Sequence, residues 1–163
     1  MISEKKARIM TNNIVEDINH ILDVIAIINQ ATSEEEIRKC IPDLLEYLGM
    51  CSLASHVCLF ELSNGFKKAY EWCRQGIESE IDYLQGVDMD IIDWWYKAFD
   101  KKENVIIRDV ETIKNEHVYT YNTLKIQNAK RLVVCPIRYK NEISGFFGVD
   151  NPPIDDHLGL TTF

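Results

Sequence analysis

Between Asn13 and Gln30 five of the six isoleucines fall at 14, 18, 21, 25 and 28, and spacings of four, three, four and three draw a heptad-like seam along one helix face. Val15, Leu22, Ala26 and Asn29 run beside that seam, so burying a single face leaves large apolar side chains in water. The helix is therefore expected to serve its own domain and a second copy of the chain, with Ile14, Ile18, Ile21, Ile25 and Ile28 at a homodimer interface. "TSEEEI" then offers Ser33 as an N-cap with Glu36 three residues on, a capping box. A second helix is predicted from there through Ile37, Ile41, Leu44, Leu45 and Leu48, with Gly49 just past its end and Pro42 expected to kink or restart it.

After Gly49 the period changes. "HVCLFEL" (56–62) and "KAYEWCR" (68–74) are rich in β-branched and aromatic residues around an Asn-Gly turn, and predict a hairpin. A second hairpin is predicted from "RLVVCPIRY" (131–139) and "EISGFFGVD" (142–150), turning at Lys140 and Asn141. Between them "MDIIDWWYKAF" (89–99) has helical period, "NVIIRD" (104–109) reads as a short strand and "VYTYNTLKIQ" (118–127) as a helix. Two helices, two strands, helix, strand, helix and two strands describe an α+β domain with a central antiparallel sheet and helices on its faces.

Gly145 and Gly148, three apart, invite comparison with a phosphate-binding loop. Such a loop directs free amides at a helix amino terminus, whereas here the glycines lie within a strand and are followed by Pro152 and Pro153. They read instead as places where neighbouring elements come close to the sheet.

Charge and cysteine usage narrow the function. Acidic residues outnumber basic ones 26 to 18, giving a net charge of -8, and no basic stretch is interleaved with aromatics, which argues against nucleic acid. No apolar run reaches membrane-spanning length and "MISEKKARIM" lacks a signal-peptide centre, so a cytoplasmic protein without membrane association is expected. The five cysteines are odd in number and irregular in spacing, and the four histidines show no metal-ligand spacing, so reduced packing thiols, no metal and no cofactor are expected.

"YEWCRQGI", "WWYKAF", "VIIRDVE" and above all "RLVVCPIRYKNEISGFFGVDNPP" resemble the GAF domains of bacterial signalling proteins, in particular those attached to diguanylate cyclases. Where family members often carry Asp and a basic residue on the first strand, this chain has Ser55 and His56. The resemblance implies a GAF-like (profilin-like) sheet with helices on both sides and a small-molecule pocket under a roof of Trp94 to Phe99 and Asp109 to Gln127. It implies a sensor domain over 13–153, preceded by a tail at 1–12 and followed at 154–163 by the start of a linker helix leading to an output domain outside this chain. The domain itself is then not an enzyme.

Candidate ligand contacts are Trp94, Trp95, Tyr119 and Tyr121, which concentrate aromatic area in the roof, Asp109 and Asp150 at strand ends, and Cys73 and Cys135 on strands. Two alternatives stand beside the sensor: a dimerisation module without ligand, and a thiol-dependent reductase of free methionine sulfoxide, conceivable if Cys73 and Cys135 face one cavity. No catalytic residue is nominated.

Overall fold

In a computed structural model of the chain, the described residues are 19–20, 22–63, 65–82, 84–85 and 88–153. Those up to Leu44 form one compact unit and those from Leu45 another. The first unit holds helical residues at 19, 20 and 22–30 (the last stretch is α1) and the start of α2, Glu34–Ser52. Leu22, Ile25, Ile27 and Ile28 of α1 are exposed. Of the proposed seam, Ile14, Ile18 and Ile21 lie outside the described residues.

The start of α2 departs from the expected capping box by one residue. Ser33 Oγ does accept from the Glu36 N–H at 3.3 Å, but the Glu36 carboxylate turns back to Thr32, accepting from its N–H at 2.7 Å and its hydroxyl at 3.2 Å. The Thr32 backbone N–H, and after it the Thr32 hydroxyl, hold the Glu36 carboxyl below its ordinary pKa. Pro42 does not interrupt the helix, and Gly49 is not its end. The helix closes at Ser52 with Leu53 in the left-handed region (φ 52°). Leu53 N–H donates to Met50 O (3.3 Å) and Ala54 N–H to Gly49 O (3.1 Å), the paired bonds of a Schellman cap.

The second unit is built on one antiparallel sheet of β1 (His56–Ser63), β2 (Gly65–Cys73), β3 (Val105–Ile107), β4 (Leu132–Tyr139) and β5 (Glu142–Asp150), in the spatial order β2-β1-β5-β4-β3. The β4–β5 hairpin turns on Lys140 and Asn141, both at positive φ, which matches the twist of the flanking strands. Register shifts between Leu59 and Phe60 and between Ile137 and Arg138 absorb one extra residue on β2 and on β5.

Pairing fixes which side chains share a face. Cys73, His56, Asp150 and Leu132 stand in one cross-strand row, Glu71, Cys58, Gly148 and Val134 in another, and both rows point to the same side. On the opposite side Val57 is fully buried, and Trp72 lies against the C-terminal part of α2, where Gly49 leaves room for the indole. Gly145 admits the β1 backbone: a Cβ there would overlap the Phe60 carbonyl oxygen.

The stretch predicted as one helix over 89–99 is two 3-10 turns, Met89–Ile91 and Asp93–Trp95, running into α3, Tyr96–Asp100. After β3 a 3-10 turn, Val110–Ile113, leads to α4, Val118–Ile126. These short elements cover the Phe146 side of the sheet. There Phe60 stacks on Phe146 (centroids 4.7 Å apart), and Trp95 meets Phe146 edge-on (5.6 Å, 84°). Phe99, Ile92, Val110 and Val134 are almost wholly buried in the same cluster. Arg138 ties the roof to β4 by donating to the Phe99 carbonyl.

Candidate functional site

A small cavity of about 40 Å³ lies between sheet and roof. Its floor is Cys58 and Phe60 of β1, Leu132 and Val134 of β4, and Phe146, Gly148 and Asp150 of β5. Its roof is Ile91, Ile92 and Trp95 from the 3-10 turns, Thr120, Thr123 and Leu124 from α4, and Leu84 and Gln127. The lining is apolar except for Asp150, Gln127 and the two threonines, and the Asp150 and Gln127 residues are themselves buried. The Trp95 indole N–H is buried and makes no hydrogen bond. Thr120 is engaged already: its hydroxyl accepts from Trp94 Nε1 at 3.0 Å and donates to the Ile91 carbonyl, which pins α4 to the turns before α3.

The residues proposed from sequence separate in space. Trp95 and Asp150 line the cavity. Trp94 does not: it stacks on His117 at 4.0 Å and 6° and braces the roof. Asp109 caps the following 3-10 turn, its carboxylate accepting from the Glu111 N–H at 3.0 Å. Tyr119 is 75% exposed, which removes it from any interior contact. Tyr121 donates to Glu111 at 3.1 Å on the outer surface, beside Lys125.

The cysteines fall on opposite faces. Cys135 pairs with Phe147, three residues along β4 from the row that holds Cys73, and so points to the α2 side of the sheet. The geometry a nucleophile and a resolving thiol require is missing, and burial pushes the Cys135 thiol upward, away from thiolate. Cys73 lies instead at the edge of an outer group of polar residues.

That group was illegible in histidine spacing, because four separate segments build it. His56, buried at 4% exposure, stands between Cys73 and Asp150 in its row. One ring nitrogen of His56 and one donor atom each of Glu71 and Cys73 lie within 4.8 Å of one another, and so do those of His56, Glu80 and Asp150. Glu71 fixes the segment bearing Glu80: its carboxylate accepts from the Ser79 hydroxyl and from the Glu80 N–H at 2.9 Å. A polar cleft of about 520 Å³, lined by Ser55, His56, residues 76–80, Gln127 and Asn151 among others, opens onto the group from outside. Gln127 lines both this cleft and the inner cavity.

No protein-family model matches the sequence, and no curated protein matches it. Solved structures do. The chain is similar to a far-red-absorbing protein in its dark state with bound biliverdin IXα (TM-score 0.63, 13% identity, 83% of this chain and 84% of that one). It is similar to GAF3 of a Synechocystis protein in its photoproduct state (0.55, 14%, 74% and 77%). It is also similar to the GAF domain of an Acinetobacter phosphoenolpyruvate-protein phosphotransferase (0.53, 9%, 84% and 77%). The fold is that of a GAF domain, an α+β architecture on a five-stranded antiparallel sheet. Among the described residues no helix is long and apolar enough to cross a membrane.

Proposed function

We propose that this chain is a regulatory domain that senses a small molecule in the cavity between sheet and roof. The observation that carries this is the Trp95 indole N–H, buried with no acceptor on a residue that lines the cavity. Leaving such a donor unpaired costs about 1–3 kcal/mol, which an acceptor atom in the cavity restores. The volume sets the ligand's scale. About 40 Å³ holds a few waters at about 10–15 Å³ each, far from the roughly 300–1,000 Å³ of a site for a drug-sized molecule. A tetrapyrrole such as the one in the similar far-red protein does not fit the roof as it stands, and a ligand of a few heavy atoms does.

The exposed apolar residues of α1 support a homodimer as the means of passing the signal on, toward a diguanylate cyclase or a similar bacterial output domain outside this chain. Trp95→Phe keeps the ring's bulk and deletes the donor. Native mass spectrometry of fresh protein, with thermal shift against formate, acetate, nitrate and short alcohols, is expected to show a ligand whose effect Trp95→Phe removes. An effect unchanged in that variant would refute the reading. The same α1 residues also favour a dimerisation module without ligand, for which the spectra would show a dimer with no added mass and no compound would move the melting temperature.

A further inference from the structure

We propose that His56, Glu80 and Asp150 form a binding site for a divalent transition metal at the inner end of the polar cleft. His56 Nε2 lies 3.1 Å from the Glu78 carbonyl oxygen, which can only accept, so Nε2 carries a proton. Nδ1 is buried and makes no hydrogen bond, and Asp150 Oδ2 stands 3.9 Å from it. A proton on Nδ1 would be stranded beyond hydrogen-bond reach. Nδ1 therefore presents a lone pair, with its tautomer set by a backbone carbonyl, the arrangement found in metal-ligating histidines.

Two carboxylates converge on the same point. Glu80 and Asp150 bring carboxylate oxygens within 4.8 Å of the ring and of each other, and carboxylates accept without donating. Two of the three ligand residues, His56 and Asp150, are buried and Glu80 is half-buried, so a cation set among them would meet all three lone pairs at once. A divalent ion neutralises the two carboxylates and leaves the buried site without net charge. One imidazole nitrogen with two carboxylate oxygens suits zinc and its first-row neighbours rather than magnesium or calcium. Ligands about 2.1 Å from a tetrahedral metal sit about 3.4 Å apart, so the 3.9 Å from Nδ1 to Asp150 Oδ2 needs a contraction of a few tenths of an ångström. The cleft supplies the entry path, and it leaves a fourth position for water or an exogenous anion.

The test uses the whole chain, stripped with chelator and titrated calorimetrically with zinc. One equivalent is expected to bind and raise the melting temperature, and Glu80→Gln and Asp150→Asn are each expected to weaken binding at least about tenfold. His56→Gln should abolish it. Because His56 is in the core, Glu80→Gln on its connecting segment is the decisive variant, with circular dichroism confirming an unchanged fold. Cys73→Ser should leave the affinity within about twofold, and X-ray absorption of the zinc-loaded protein should show nitrogen and oxygen neighbours without sulfur. Binding no tighter than about 1 mM overturns the site. So does affinity indifferent to Glu80→Gln, and so does a sulfur neighbour lost in Cys73→Ser, which would put the metal on His56, Glu71 and Cys73 instead.

Discussion

Gly49→Ala tests how α2 meets the sheet, because helix propensity and packing predict opposite signs. Gly49 sits inside the helix, where alanine is favoured over glycine by about 1 kcal/mol. A Cβ there, however, would overlap Cε3 and Cζ3 of Trp72 and come within 2.7 Å of Cη2. The ring is planar and rigid, so it must swing off the helix. A fully buried tryptophan contributes about 4–6 kcal/mol from 150–250 Å² at about 25 cal/mol/Å². Trp72 is half-buried, so expelling it costs about half of that, 2–3 kcal/mol. Set against the propensity gain, the net loss is about 1–2 kcal/mol, or roughly 3–8 °C in melting temperature for a domain of this size. Urea unfolding followed by tryptophan fluorescence reads it directly. In a Trp72→Ala background the obstruction is gone, and Gly49→Ala should then stabilise by about 1 kcal/mol. A stabilising Gly49→Ala in the parent chain, or the same sign in both backgrounds, would refute the packing account.

Leu53→Gly should raise stability by about 0.5–1 kcal/mol in the same assay, since a left-handed leucine costs about 1–2 kcal/mol and glycine's extra freedom returns part of it; a loss would mean that the exposed leucine contributes packing. Asn151→Ala should cost about 2–3 kcal/mol, because the amide accepts from Lys130 N–H at 2.7 Å and donates to Ser55 Oγ at 2.9 Å while its backbone is left-handed. Burial raises the Cys135 thiol pKa, so the unfolded chain ionises first, near its ordinary value of about 8.5, and stability should fall as pH rises beyond that point. Cys135→Ala should flatten that alkaline limb of a urea titration. In timed alkylation with mass readout, exposed Cys51 should react well before Cys135 and Cys58.

The sheet was legible because alternation and turn chemistry agree: both hairpins fall where β-branched and aromatic runs flank Asn-Gly or a two-residue turn. The end of α2 was not, since a leucine occupies the position glycine usually takes, and the nearby glycine serves an indole instead. Facing was the harder matter. Period two says that Val133, Cys135 and Ile137 share a side, but only the pairing of β4 with β5 reveals that Leu132 and Val134 hold the cavity side.

Asp109, two residues past β3, and Asp150, the last residue of β5, show why two aspartates expected at strand ends finished in different places. An aspartate that follows a strand favours a bond to the N–H two residues ahead. Glu111 offers it to Asp109, and the side chain is spent as a cap. Two residues beyond Asp150 stands Pro152, which has no N–H. The capping role passes to Asn151, which is left-handed and bonds to Lys130 and Ser55. The Asp150 carboxylate is thereby left for the interior, between the cavity and His56. The proline thus bears on the chemistry of this site, and Pro152→Ala should restore a competing N–H. If zinc binding is unaffected by Pro152→Ala while Asp150→Asn abolishes it, the carboxylate is positioned by its burial in the row with His56 alone, and the proline plays no part.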